Sequence, residues 1–331
     1  MTPPKIGITL GDPGGIGPEV VLKSLYSEKF IPKAKYILFG SQRLIEEEKK
    51  TLGIEIPIQP LERIITSDAS RLSLYEVASY LGSVEKGIPS KVNGEASFQF
   101  FKQGLKAAQE GMIHSLVTAP ISKKSWGLAG LQWRGHTDYL SHLYPQAIMA
   151  FWSEKIKVAL FSSHLPLRTA LEQIKREKLL EFFLRLQQSL ERIHLGKFSF
   201  LVAGLNPHAG EDGLLGSEEK DEIIPAVKEA KREGMNISGP HPPDVVFRQC
   251  LQQPDTIVIA LYHDQGCIPF KLESFDLGVN LTLGIPFIRT SPDHGTAFDI
   301  AGKGKANPSS MIEAIKLAYA LSAAGRKRIK Q

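Results

Sequence analysis

The stretch Lys5-Ile6-Gly7-Ile8-Thr9-Leu10-Gly11-Asp12-Pro13-Gly14-Gly15-Ile16-Gly17-Pro18-Glu19 carries the plainest statement of the fold. The apolar run Ile6–Leu10 is broken by Gly11-Asp12-Pro13, and a helix then opens with Pro18 in its first turn and Glu19 beside it. Proline is tolerated there because its missing N–H would have no intrahelical partner, and an acidic side chain suits the positive end of a helix. An uninterrupted apolar run is how a strand buried on both faces reads. The glycines do not fall into G-x-G-x-x-G, and no G-x-x-x-x-G-K-[ST] occurs anywhere, so the Rossmann and P-loop fingerprints both fail on spacing. Two readings of the junction stay open: a tight turn packing a helix onto a strand, or a loop lining a ligand site.

The same alternation continues along the chain. Tyr36–Phe39, Ser115–Thr118, Val158–Phe161, Phe198–Ala203 and Thr256–Leu261 are expected strands. Helices are expected over Pro18–Tyr26, Phe98–Gly111, Glu172–Ile193, Ser217–Glu233 and Ser309–Ala323. Strands alternating with helices predict an α/β protein with mainly parallel sheets covered on both faces, and 331 residues suggest two lobes.

Composition narrows the function classes. With 42% apolar and 23% charged residues the chain is expected to be globular, not disordered, collagenous or a coiled coil. Its two cysteines, Cys250 and Cys267, exclude a disulfide scaffold and a four-cysteine zinc module, and they fit a reducing compartment. The formal charge of +5 is concentrated in Arg326, Lys327, Arg328 and Lys330, an expected frayed tail whose removal leaves +1 for the body. No basic face for a nucleic acid is expected from that balance. Neither an export signal nor a membrane span is read, and the expected location is the cytoplasm.

Three of the nine histidines share one kind of position. His164, His208 and His263 each follow an apolar strand closely, and ligands in open α/β sheets bind at that carboxyl edge. Three imidazoles with an open fourth position suit a catalytic divalent metal, with Asp264 and Glu211 placed to orient the rings. His114, His142 and His194 lie in or beside helices and read as ordinary polar residues. Gly135-His136-Thr137 combines an imidazole, a hydroxyl and backbone N–H groups suited to a phosphate or carboxylate. Lys271, Asn280 and Arg289 follow, with Arg289 able to grip an oxyanion through two parallel hydrogen bonds.

The segment His294-Gly295-Thr296-Ala297-Phe298-Asp299-Ile300-Ala301-Gly302-Lys303-Gly304-Lys305-Ala306-Asn307-Pro308 closely resembles the adenosine-binding loop of the isocitrate and isopropylmalate dehydrogenases. Its glycines let backbone approach a flat ligand, and Asp299 is suited to ribose hydroxyls while disfavouring an added 2′-phosphate. Further motifs run almost the full length: Thr118-Ala119-Pro120-x-x-Lys123, Ser163-His164-Leu165-Pro166-Leu167, Gly204-Leu205-Asn206-Pro207-His208-Ala209-Gly210-Glu211, Gly239-Pro240 with Asp244 and Phe247, Tyr262-His263-Asp264-Gln265-Gly266, and Thr290-Ser291-Pro292-Asp293-His294-Gly295-Thr296. Together with the opening junction they resemble the 4-hydroxythreonine-4-phosphate dehydrogenase family. Two positions depart from its pattern: Asp138 stands where Glu is common, and Val245 where a hydroxyl residue is frequent.

The resemblance implies metal ligands at His164, His208 and His263, with zinc, magnesium or cobalt as the ion. It implies substrate contacts at His136, Thr137, Lys271, Asn280 and Arg289. A nicotinamide cofactor, NAD or NADP, is expected against His294, Gly295, Thr296, Asp299, Ile300 and Asn307. Asp244, Asp264 and Lys271 are the candidates for proton transfer. The implied fold is two α/β lobes around a cleft, isocitrate dehydrogenase-like. A cofactor lobe is expected from residues 1–125 with 285–331, and a metal, substrate and dimerisation lobe from 126–284. The family implies a homodimer with a shared active site, in which His164 is expected from one chain and His208 with His263 from the other. The implied reaction oxidises and decarboxylates a phosphorylated hydroxythreonine in pyridoxine 5′-phosphate biosynthesis. Dehydrogenases of phosphorylated four-carbon sugar acids share much of the pattern. A metal-dependent hydrolase would leave the adenosine-type loop without a use, and a phosphometabolite-binding protein would need no metal trio.

Overall fold

The structure, a computed structural model, describes residues 3–27, 31–62, 71–77, 83–253 and 255–328. Two compact units divide the chain: Met1–Pro145 with Pro286–Gln331, and Gln146–Ile285. The first carries β1 (Lys5–Thr9), β2 (Lys35–Gly40), β3 (Gln59–Pro60), β4 (Leu72–Glu76) and β5 (Ser115–Thr118). The second carries β6 (Ile148–Trp152), β7 (Lys157–Leu160), β8 (Ser199–Ala203), β9 (Ile237–His241), β10 (Thr256–Ala260) and β11 (Val279–Leu283). The chain then returns to the first unit with β12 (Ile288–Pro292). A mainly parallel α/β architecture is thus what the structure has.

In the first unit the strands run in the order β3-β4-β2-β1-β5-β12, and every pairing is parallel. Ile6, Ile8, Leu38, Phe39, Leu116 and Val117 are fully buried in this sheet, as continuous apolar strands require. The helix Lys91–Gln109 covers it, started by the Ser90 hydroxyl accepting from the N–H of Asn93 at 3.2 Å. The short helices Lys123–Leu128 and His136–Leu143 stay with that helix through edge-on rings of Phe98 and Phe101 against Trp126 and Tyr139. That aromatic cluster is why the boundary expected near residue 125 falls at 145. The opening junction is a packing turn: residues 11–21 are all buried, and Asp12 accepts from the N–H of Gly14 at 2.9 Å.

In the second unit the order is β11-β6-β7-β10-β8-β9. Strand β6 runs antiparallel to both neighbours, whereas β7, β10, β8 and β9 are parallel. Its core joins Val158, Leu160, Ala203, Val258, Ala260 and Phe270.

The six expected strands form within a residue or so of their expected limits. Strands β3, β4, β6, β9, β11 and β12 were not expected; in β11 and β12 buried polar residues (Thr282, Arg289, Thr290, Ser291) interrupt the apolar runs. The expected helix 172–193 is two helices, Leu167–Glu172 and Arg176–Arg192. The expected helix 217–233 opens with a π-helical turn, Glu219–Ile223, before Ile224–Arg232. The last helix continues from Ser309 to Arg328, so the basic end expected to fray is helical that far; Lys330 lies outside the described residues. Among the described residues no helix is long and apolar enough to cross a membrane.

Candidate active site

Strand β10 lies between β7 and β8 with all three parallel, so their carboxyl ends share one edge. His164, His208 and His263 follow those ends. Hydrogen bonds tie the ends together. The Ser162 hydroxyl donates to the carbonyl of Leu261 at 2.9 Å. The buried amide of Gln265 accepts from the N–H of Leu261 and donates to the carbonyl of Gly204, both at 2.7 Å. A buried primary amide satisfied on both sides fixes two strand ends at once.

The rings of His164 and His263 lie 5.5 Å apart between centroids. Two imidazoles bound to one tetrahedral ion at about 2.0–2.1 Å have centroids about 5 Å apart, so this pair has a two-ligand separation. Asp264 Oδ1 is 2.7 Å from His263 Nδ1, and Nε2 lies 3.5 Å from the Cys267 thiol. The donor chemistry fits a borderline-soft divalent ion. Adjacency of β7 and β10 places His164 near His263 within one chain. His208 does not complete the pair: among the described residues no group of three His, Cys, Asp or Glu side chains within one chain could hold a metal ion.

His208 sits on an unusual segment. From His208 to Asp212 every residue has φ between 41° and 83°, a left-handed turn in which four of the five are not glycine. Each such residue costs about 1–2 kcal/mol relative to right-handed backbone. The carboxylate holding this loop is Glu219; Glu211, expected to orient the His208 ring, is exposed. Glu219 is buried and accepts from the N–H groups of Leu205 and Asn206, both at 2.7 Å, and from the Asn206 side chain at 2.8 Å.

The anion candidates fall in both units. In the first, Arg289 on β12 is buried and reaches the Thr118 hydroxyl at the end of β5. Loss of water lowers its pKa to about 10, so it still carries a positive charge at neutral pH. Its Nη2 lies 3.4 Å from His136 Nδ1. A guanidinium only donates, so Nδ1 accepts and the imidazole proton sits on Nε2, a buried atom with no hydrogen-bond partner. Burial foremost, then Arg289, holds the His136 pKa well below its ordinary value, so the ring is neutral. Rings of Phe101 and Trp126 stand 4.5 and 5.5 Å from it. Gly135, in an extended positive-φ conformation, starts the helix in which His136 and Thr137 are the first two residues. Asp138 accepts from the N–H of Arg134 at 2.9 Å, a role in the turn.

In the second unit Lys271 lies half-buried on the helix His263–Ser274. Asn280 on β11 has a buried Oδ1 with no hydrogen-bond partner. Asp244 is exposed just before the helix Val246–Leu251.

The 294–308 loop is anchored inside the first unit. Ile16 N–H donates to the Thr296 carbonyl at 2.9 Å, and a Cβ on Gly15 would stand 2.8 Å from that oxygen, so the close approach requires glycine. Glu19, fully buried, accepts from the N–H of Ala306 and from Lys23, both at 2.7 Å; Lys23 also donates to the carbonyls of Gly304 and Ala306. The exposed face suits a flat ligand. A side chain on Gly295 would meet nothing within 4 Å, and the Asp299 side chain belongs to an exposed residue. Ile300 is half-buried beneath it, and Asn307 Oδ1 caps the N–H of Ser309.

Thr118, Gln265 and Glu219 escaped the sequence reading as functional groups. Gln265 stands inside the quoted His263-Asp264-Gln265-Gly266 motif, and Thr118 opens another, but the partners that give them roles are far away in sequence.

Parallel strands followed by histidines in one unit, and a buried arginine beside a glycine-started helix in the other, mark this as an α/β protein with candidate ligand groups at its strand ends. The family model for "Pyridoxal phosphate biosynthetic protein PdxA" matches residues 32–318. The 4-hydroxythreonine-4-phosphate dehydrogenase of Aquifex aeolicus is 42% identical over 319 residues, covering 95% of this chain and 97% of that protein. An Oceanobacillus iheyensis relative named "Putative D-threonate 4-phosphate dehydrogenase" is 36% identical, covering 96% of this chain and 98% of its own. The crystal structure of 4-hydroxythreonine-4-phosphate dehydrogenase from Klebsiella pneumoniae superposes with a TM-score of 0.84 at 35% identity, covering 96% and 99% of the two chains. The fold extends further: a β-decarboxylating dehydrogenase from Thermococcus kodakarensis shares it at 14% identity with a TM-score of 0.50. The chain belongs to the pyridoxal phosphate biosynthetic protein PdxA family, whose members named here are dehydrogenases.

Proposed function

We propose that the protein oxidises 4-phosphooxy-L-threonine at C3 with NAD and decarboxylates the product to 3-amino-2-oxopropyl phosphate, in pyridoxine 5′-phosphate biosynthesis. The observation that carries the reading is the buried Arg289–Thr118–His136 group, a positive charge beside an orphaned imidazole N–H. Arg289, His136 and Thr137 hold the phosphate, and Lys271 and Asn280 contact the substrate. Holding it by the phosphate fixes C3 for hydride transfer.

His164, His208 and His263 would hold a divalent cation, zinc or cobalt being best matched to imidazole and magnesium less so. When bound, such an ion supplies Lewis acidity, which lowers the pKa of a coordinated hydroxyl and stabilises negative charge on a neighbouring oxygen. Asp264 orients the His263 ring, and Asp244 and Lys271 are the remaining candidates to take the C3 hydroxyl proton. Held by His294, Gly295, Thr296, Asp299, Ile300 and Asn307, a nicotinamide cofactor would supply the hydride acceptor for C3. The 3-oxo acid then loses its carboxylate as CO₂, the electron pair moving toward the ketone oxygen.

The site is proposed to be shared in a homodimer. The helix that begins with His263 and bears Lys271 exposes Ile268, Leu272 and Phe275, with Leu272 84% and Phe275 71% accessible. An apolar helix face of that size beside the metal candidates fits a second copy of the chain, whose His208 completes the His164–His263 pair.

A second reading is favoured by the Oceanobacillus iheyensis relative: oxidation of a phosphorylated four-carbon sugar acid such as phosphothreonate or phosphoerythronate. Nicotinamide reduction measured with phosphothreonine, phosphothreonate and phosphoerythronate separates the two. The highest kcat/KM is expected with phosphothreonine; a clear preference for a sugar acid overturns the substrate assignment. No reduction with any of them, in metal-loaded enzyme, overturns the reaction class.

A further inference from the structure

We propose that Glu219 is the positioning residue for His208: its carboxylate holds the left-handed 207–213 segment in the shape that presents the imidazole. The proposal rests on the reading of His208 as a metal ligand. Glu219 does not touch His208. It acts through Leu205 and Asn206, whose two N–H groups converge on Oε1 while the Asn206 side chain meets Oε2. Glu218 takes the same side-chain amide at 2.8 Å, so Asn206 is gripped from two neighbouring carboxylates.

That grip sits at the entrance of the strained turn. Asn206 is the residue before Pro207, and its carbonyl accepts from the N–H of Ala209 at 3.1 Å. Inside the turn Gly210 packs on the carboxylate: a Cβ there, at φ +83°, would lie 2.8 Å from Glu219 Oε2. The turn closes with Leu215 N–H donating to the Gly210 carbonyl at 3.1 Å. Glu219 therefore contacts the segment on both sides of His208, from Leu205 and Asn206 before it and Gly210 after it.

The support beneath Glu219 is rigid. It opens the π-helical turn Glu219–Ile223, whose Ile223 is fully buried. Glu222 of that turn accepts from Lys175 at 2.9 Å and from the N–H of Arg176 at 2.8 Å, tying it to the helix Arg176–Arg192. A π-turn shifts helical register by one residue, a feature concentrated at functional sites. Here it places a carboxylate where three donors, the Leu205 and Asn206 N–H groups and the Asn206 side-chain amide, meet it. Non-glycine residues in left-handed backbone persist only where their surroundings over-determine them.

The test uses the full-length protein with cobalt(II) and zinc(II) as probes. Affinity is measured by competition with a chromophoric chelator, beside the cobalt absorption spectrum and nicotinamide binding. In Glu219→Gln one acceptor oxygen becomes a donor facing the Asn206 amide. Metal affinity is expected to fall tenfold or more, the range typical of residues that orient ligands, with an altered cobalt spectrum and unchanged nicotinamide binding. Gly210→Ala attacks the same contact from the loop side without touching the carboxylate, and it is expected to do the same. Wild-type metal affinity and spectrum in a folded Glu219→Gln protein, or in Gly210→Ala should the first not fold, overturn the proposal. His208→Ala separates the premise from the inference. Metal affinity unchanged in His208→Ala overturns both, whereas a loss there with wild-type affinity in Glu219→Gln overturns only the role of Glu219.

Discussion

Arg289 donates to the Thr118 hydroxyl from two nitrogens of one guanidinium, Nε at 3.2 Å and Nη2 at 2.6 Å. The two residues are 171 positions apart and meet because β12 pairs with β5 in parallel. A hydroxyl is a neutral acceptor, so this contact orients the guanidinium without itself supplying a counter-charge.

Arg289→Ala is therefore expected to lower kcat/KM for the phosphorylated substrate by about a hundredfold or more while leaving nicotinamide binding unchanged. Thr118→Val, which removes only the orienting hydroxyl, is expected to cost about tenfold. Steady-state kinetics with both substrates varied decide it, and an unchanged kcat/KM in Arg289→Ala places the phosphate elsewhere.

His136 makes stability pH-dependent. Its pKa is depressed in the folded protein, so the unfolded chain takes up a proton first as pH falls through about 6.5. The stability from the buried neutral ring is complete above that pH and is lost progressively below it, by at most about 1.4 kcal/mol per pH unit for one group. Chemical denaturation of wild type and His136→Gln between pH 7.5 and 5.5 should show a shallower fall in the variant. Parallel curves would show that His136 does not titrate on unfolding in this range.

The ring pair of His164 and His263 predicts a pattern of subunit complementation. When inactive His164→Ala and His208→Ala proteins are unfolded and refolded together, mixed dimers carry one intact site of two. Random pairing then restores roughly a quarter of wild-type activity. His164→Ala with His263→Ala restores nothing, because both ligands come from one chain. Restoration by the second pair and not the first would reverse the grouping.

Charge on the exposed helix face should separate the subunits. Leu272→Asp with Phe275→Asp is expected to give a monomer in sedimentation experiments, folded but with metal affinity much reduced. A dimer that persists unchanged would show that this face is not the interface.

Asp299 sets the expected cofactor preference for NAD over NADP. Asp299→Ser is expected to narrow that preference by removing a ribose acceptor and a charge repelling a 2′-phosphate. Competition kinetics showing NADP already favoured by the wild type would remove Asp299 from the ribose site.

Much was legible in the residues because both-face burial writes strands as apolar runs and glycine-bounded helix starts have local chemistry. The ends of β7, β8 and β10, with a histidine after each, could be located this way. Strand β12 could not, since the buried Arg289 that gives it meaning also breaks its hydrophobic pattern. Glu219 was missed for a related reason: the N–H groups it accepts from, on Leu205 and Asn206, lie 14 and 13 residues before it.

Local patterns, then, settle which segments are strands and which side chains carry chemistry, because burial and backbone preference act within a few residues. Strand order is different. Placing β10 between β7 and β8 pairs His164 with His263, and placing β12 beside β5 brings Arg289 to Thr118. Those adjacencies come from packing and hydrogen bonding between segments dozens to well over a hundred residues apart, energies that no local stretch of the chain expresses.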